Sequence, residues 1–376
     1  MKFRFSALST YAGAAALFAS VSLAAPVSVT PNLIIFGNSL SDVGNAAALT
    51  HTQAYWEGRY SNSYVWNEYV AKMLGMNLVN KAYGGATSNN DLSPATAGDI
   101  SIPSLHDQVV TYLQQNPKPS QFNLDNDVIE IEIGGNDILH RAAQLLTGAV
   151  DVTSFAQQLA ASISSDIKAL IDAGYKNINL WNLPAVDKTP ALNSLGAGAL
   201  AKPLVAALNN AIKTAVLAVA TSEGATGVHV FDVNGLMEQA LKPEVLSALG
   251  ITDSTDACVS QVGGTTTVCT NPDEYFFYDA VHPASRMHYL WGIAAAALTR
   301  NPNFNIDTAE ILKIAETFDI KSSNRENNII VKDITPSESA VIPQPTGYET
   351  ATPTSDVYVR PTYTTTVYVS PPKCHQ

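Results

Sequence analysis

Short runs of apolar and β-branched residues recur along this chain, and stretches of helical periodicity separate them. The runs are Leu33–Phe36, Leu78–Val79, Asp127–Ile133, Asn177–Leu183 and Gly227–Asp232. Between them, Trp66, Tyr69, Val70, Met73 and Leu74 fall at helical intervals and stop at Gly75. Phe155, Leu159, Ile163, Ile167 and Leu170 do the same before Gly174, as do Leu204, Leu208, Ile212, Ala215 and Val219 further on. Strands that alternate with helices require a parallel sheet covered on both faces and joined by right-handed crossovers, which places the chain in the α/β class. Two further helices are expected, over 284–299 with Pro283 at the first position and over 306–320.

Ligands of open α/β sheets bind beyond the carboxyl ends of the strands, so what the chain places there matters. The first run, Leu33-Ile34-Ile35-Phe36, delivers Gly37-Asn38-Ser39. The second leads to Gly84-Gly85, and the third to Gly134-Gly135-Asn136-Asp137. A serine in that position either caps the following helix or serves as a nucleophile. Paired glycines serve a tight turn or leave backbone N–H groups free for an anion. The choice is tipped by Asp279-Ala280-Val281-His282 near the far end of the chain. With His282 three positions after it, the Asp279 carboxylate can accept from Nδ1 of the imidazole while Nε2 faces Ser39 and takes its proton. The donors then suited to an oxyanion are the backbone N–H groups of Ser39 and Gly85 and the side-chain amide of Asn136, with Gly84 the alternative to Gly85. In the same reading, Glu130 and Glu132 alternate with isoleucines and need solvent or hydrogen-bond partners. The aromatic stretch from Tyr55 to Trp66 either lines a pocket or covers the core, and core cover is the assignment that needs no further evidence.

Composition limits what such a site can act on. The chain has 376 residues, of which 46% are hydrophobic and 14% charged, as in a folded globular protein rather than a disordered one. A formal net charge of −12 excludes nucleic acid as the main partner and suits a neutral polymer or a small ester. Lys2 and Arg4, an apolar core and Ser22-Leu23-Ala24 form the layout of a secretory leader over 1–24, followed by a short linker over 25–32. A secreted, extracellular protein follows, with no later segment long and apolar enough to span a bilayer and no stable membrane insertion expected. Oxidising conditions favour a local disulfide between Cys258 and Cys269, leaving Cys374 over. The catalytic domain is expected over 33–320, with a disordered Pro/Thr/Ser/Tyr-rich tail over 321–376 that carries the related tetrads Asp356–Val359 and Thr366–Val369. No pattern sets an oligomeric state.

Four blocks in order resemble the SGNH (GDSL) hydrolases: GNSLSDVGN from Gly37, AYGGAT from Ala82, GGND from Gly134 and DAVHP from Asp279. Gly58–Asn62 with Val65-Trp66, and Tyr275–Tyr278, resemble the secreted lipase-like and acetylesterase branch. The resemblance covers Leu33 to Arg300. It implies a flavodoxin-like three-layer α/β/α fold with a parallel five-stranded sheet, and no metal or cofactor. It implies Ser39, Asp279 and His282 as catalytic residues, and Ser39, Gly85 and Asn136 as the oxyanion hole. The activity it implies is a serine esterase that cleaves short acyl esters, acetyl groups on carbohydrates foremost; the neighbouring alternative is a lipase or phospholipase acting on longer acyl chains. From another class, a cell-wall or surface binding protein that kept the fold without the chemistry would fit the Thr/Tyr/Pro tail. One residue departs from the family pattern: Asn38 stands where the family usually has Asp, and altered pH behaviour is expected from it. The Gly-x-Ser-x-Gly elbow of α/β-hydrolases is absent around Ser39, and the histidines form no cluster with metal-ligand spacing.

Overall fold

The computed structural model describes residues 29–47 and 54–332. The leader, the first residues of the linker, the tail from residue 333, its tetrads and Cys374 lie outside the described residues. Five strands form the main sheet: β1 (Asn32–Gly37), β2 (Asn77–Asn80), β3 (Val128–Glu132), β4 (Asn177–Trp181) and β5 (Val228–Phe231). Their order is β2-β1-β3-β4-β5 and every pairing is parallel. Leu33 and Ile35 of β1 face one core and Ile34 and Phe36 the other, all four fully buried, which is why this strand reads as an unbroken apolar run.

Helices α1 (Trp66–Leu74), α2 (Leu105–Gln115), α3 (Gly135–Leu146), α4 (Val152–Asp172) and α5 (Gly198–Ser222) follow in the crossovers. After β5 come α6 (Val233–Ala240), α7 (Pro243–Leu249), α8 (Ser285–Arg300) and α9 (Thr308–Thr317). One core unites Trp66, Tyr69, Trp181, Leu290 and Trp291, so α1 and α8 cover that face; the other unites Ile129, Ile131, Leu159, Ile163, Leu208 and Ile212 beneath α4 and α5. The expected three-layer α/β/α architecture is the one observed. Helix α2 escapes the periodicity reading, although Ser104 and Asp107 form a capping box at its start, a signal the sequence does carry.

Three expectations are corrected here. Residue 320 does not end the packed body: Ile329 and Ile330 are 2% and 7% exposed and belong to the core under α8, so residues 321–332 are held by burial. Pro283 is not the first residue of α8, which starts at Ser285. The segment before it pairs with the strand Tyr275–Phe277 instead, through Tyr278 N–H to His282 O at 2.7 Å and Ala284 N–H to Phe276 O at 2.9 Å. Finally, α5 is long and apolar enough to cross a membrane by length and composition, with a mean hydropathy of 1.5 in its most apolar window. Its Leu204, Leu208, Ile212 and Val216 are buried in the core, however, which accounts for that composition in a helix laid on a sheet.

Glu130 and Glu132 find partners rather than solvent. Glu130 accepts from Asn179 Nδ2 at 2.8 Å, Trp181 Nε1 at 2.8 Å and Thr299 Oγ1 at 2.9 Å. Burial pushes both carboxyls up to about 7, against the opposing pull of these hydrogen bonds. A carboxyl whose pKa rises on folding contributes stability that is complete below its unfolded value of ~4.3 and is lost as pH rises through about 7. Folding stability, and with it the melting temperature, is therefore expected to fall between pH 5 and pH 8, by up to about 1.4 kcal/mol per pH unit for each such group. Glu130→Gln should flatten that slope in a calorimetric pH series; an unchanged slope would contradict the assignment.

Candidate active site

Each candidate residue sits where a strand stops. Beyond β1 the chain turns at Asn38, whose carbonyl accepts from Ser41 N–H at 3.1 Å and whose Oδ1 accepts from Leu40 N–H at 2.9 Å. Gln108 grips Gly37 from α2, accepting from its N–H and donating to its carbonyl, both at 2.9 Å. Ser39 crowns this turn and is 7% exposed. Residues 39 and 282 meet: Ser39 Oγ lies 2.7 Å from His282 Nε2, and His282 Nδ1 lies 2.6 Å from Asp279 Oδ2. The second carboxylate oxygen of Asp279 accepts from the N–H groups of Val281 and His282, each at 2.8 Å.

Burial alone would raise the Asp279 carboxyl, but the His282 imidazole, its hydrogen bond and that of Tyr55 outweigh it and hold the group at about 2. Asp279 is thus a carboxylate wherever His282 can act as a base, and it fixes the tautomer that leaves Nε2 free to accept a proton. The sequence assigns Tyr55 to core cover, yet its hydroxyl donates to Asp279 Oδ2 at 2.5 Å. Nothing in the sequence distinguishes it from its aromatic neighbours. Tyr55→Phe removes one hydrogen bond to a buried carboxylate, worth about 1.5 kcal/mol, and should lower kcat on an ester about tenfold with little change in KM. Steady-state kinetics on the purified variant tests this.

The paired glycines are resolved by their partners. Gly84 N–H donates to Asp42 Oδ2 at 2.7 Å, and a Cβ there would lie 2.2 Å from the Tyr60 hydroxyl. Gly85 has φ +85 and no described residue accepts from its N–H, so it is the glycine with a donor to spare. Asp42 also accepts from the N–H groups of Gly44, Asn45 and Ala46, which ties the Ser39 turn to the glycine turn. Its place two residues before Gly44 is the one sequence sign of that role. Asn136, in the first turn of α3, donates one amide hydrogen to Ala86 O at 2.8 Å and is thereby fixed beside the glycine turn. Ser39, Asn136 and His282 line one pocket together with Leu40, Leu139, Val186, Met237, Val281 and Trp291; Gly85 does not line it.

The disulfide expected between Cys258 and Cys269 is present, with Cα atoms 4.9 Å apart. It closes a loop anchored by Val259 N–H to Tyr278 O at 2.7 Å, directly before Asp279.

Over residues 33–294 the sequence matches the GDSL-like Lipase/Acylhydrolase family. This chain belongs to that family. Among similar proteins, the thermolabile hemolysin of Vibrio parahaemolyticus is 25% identical over 275 residues, covering 68% of this chain and 60% of the hemolysin. An acetylesterase of Thermothelomyces thermophilus is 29% identical over 116 residues, 30% of this chain and 36% of that protein. The chain thus spans less than two thirds of either relative's length. Among solved structures, an alpha/beta hydrolase enzyme from the metagenome of Lake Arreo, Spain, aligns at 16% identity with a TM-score of 0.38, covering 73% of this chain and 97% of the other.

Proposed function

We propose that this GDSL protein hydrolyses carboxylic esters through an acyl-Ser39 intermediate. Ser39 Oγ attacks the ester carbonyl while its proton passes to His282 Nε2, and Asp279 balances the imidazolium that forms. The tetrahedral oxyanion is received by the N–H groups of Ser39 and Gly85 and the free amide hydrogen of Asn136. Collapse expels the alcohol, which takes the proton back from His282. Water then repeats the sequence on the acyl-serine and releases the carboxylic acid. The observation that carries this reading is the unbroken hydrogen-bonded series from Ser39 Oγ through His282 to Asp279. The disulfide supports an extracellular setting, since thiols stay reduced in the cytosol.

For the acyl group we infer a short chain, with acetylated carbohydrate as the substrate class; the acetylesterase relative supports this. A second reading, a longer acyl chain as in a lipase, is favoured by the aliphatic and aromatic side chains of the pocket beside Ser39. Rates on 4-nitrophenyl esters of increasing chain length separate the two. A maximum at acetate, with acetate released from acetylated oligosaccharide, supports the first; a maximum on long acyl chains replaces it with the second.

A further inference from the structure

Glu132 is 2% exposed, and no lysine or arginine pairs with it among the described residues. Its register partner across the sheet is Gly37, so the carboxylate stands under the Ser39 turn. A Cβ on Gly37 would come within 2.4 Å of the Glu132 carbonyl oxygen, so turn and strand touch at backbone distance. Each oxygen of the Glu132 carboxylate holds one flank of Ser39. Oε1 accepts from Asn38 Nδ2 at 3.2 Å, and Oε2 accepts from Ser41 Oγ at 3.3 Å. Ser41 is fixed in turn by Trp66 Nε1, which donates to its hydroxyl at 3.2 Å, and by Asn67 Nδ2, which donates to its carbonyl at 2.7 Å.

Position 38 therefore needs a side chain with one face that accepts, for Leu40 N–H, and one that donates, for Glu132. Asparagine has both in one amide plane. Aspartate offers acceptors alone and would set two carboxyl groups at hydrogen-bond distance, where one must take up a proton or the turn must move. A glutamine at 132 would cure this, because its Nε2 donates to the carboxylate introduced at position 38 while its Oε1 still accepts from Ser41.

We propose that Glu132 is a positioning residue for Ser39, acting through the hydrogen bonds that its carboxylate makes to Asn38 and Ser41, and that the amide at position 38 is matched to it. The proposal rests on Ser39 being the nucleophile and adds what holds it in line with His282. Misplacing a nucleophile by ~1 Å can cost about a hundredfold in turnover, so loss of this grip is felt in kcat rather than in substrate binding.

The test is a reciprocal exchange assayed on a 4-nitrophenyl ester at pH 8. Asn38→Asp should lower kcat at least tenfold with KM within twofold of wild type. Adding Glu132→Gln to it should return kcat to within about threefold of wild type, because every hydrogen bond is restored with donor and acceptor exchanged. Glu132→Leu, which buries no charge, provides a second reading if Asn38→Asp does not fold; it should lower kcat at least tenfold at unchanged KM. Wild-type kcat in Asn38→Asp, a double variant no faster than that single variant, or an unaffected Glu132→Leu would each overturn the proposal. Labelling by a 4-nitrophenyl alkylphosphonate keeps the two levels apart. Wild type that labels at Ser39 while the exchange has no effect removes this inference alone; wild type that does not label at Ser39 removes the underlying reading and this inference with it.

Discussion

Replacing Ser39 by alanine is expected to lower kcat on a chromogenic ester by about 10⁴-fold or more, the scale on which loss of a triad member registers. The hydroxyl makes one hydrogen bond to a described residue, the one to His282 Nε2, so its removal leaves the turn's other bonds in place. The melting temperature should stay within a few degrees of wild type. A folded, inactive variant beside an active wild type rejects the alternative of a binding protein that retained only the fold. Equal rates in the two proteins would instead reject Ser39 as the nucleophile.

Asn136→Ala should cost about 10²–10³ in kcat with KM little changed, because an oxyanion donor is used in the transition state and hardly before it. The amide is already oriented by its bond to Ala86 O, so its free hydrogen needs no reorganisation when charge develops on the substrate oxygen. Removing it also frees the glycine turn from one of its ties, and Gly85, proposed as a further donor, lies in that turn. Wild-type kcat in Asn136→Ala would place Asn136 outside the reaction.

The strands and the Asp279–His282 pair are legible because they rest on local rules, and Ser39 because a parallel sheet puts the end of its strand on the rim where ligands bind. Unbroken apolar runs mark strands buried on both faces, and a separation of three positions suffices to fold a carboxylate back onto an imidazole. What is not legible depends on contacts remote in sequence. The spare N–H among the paired glycines is decided by Asp42, which occupies that of Gly84 from the preceding turn. Tyr55 reaches Asp279 across more than two hundred residues of chain, and its aromatic surroundings mask it. The acidic positions in β3 signal a need for partners without naming Asn38 or Trp181. The domain end at 320 fails because Ile329-Ile330-Val331 is too short an apolar run to register against the polar residues around it, yet the two isoleucine side chains fill the core under α8. The length and composition of α5 match those of a membrane-crossing helix, and only its packing against the sheet identifies what its apolar face covers.

Covalent acylation of Ser39 is the step on which the proposed hydrolysis depends, and capture of that bond tests it most directly. With a 4-nitrophenyl alkylphosphonate, one nitrophenolate released per protein molecule, complete loss of esterase activity and a phosphonyl mass on the peptide that contains Ser39 are expected. Full activity after treatment, or the added mass on another residue, would contradict acylation at Ser39.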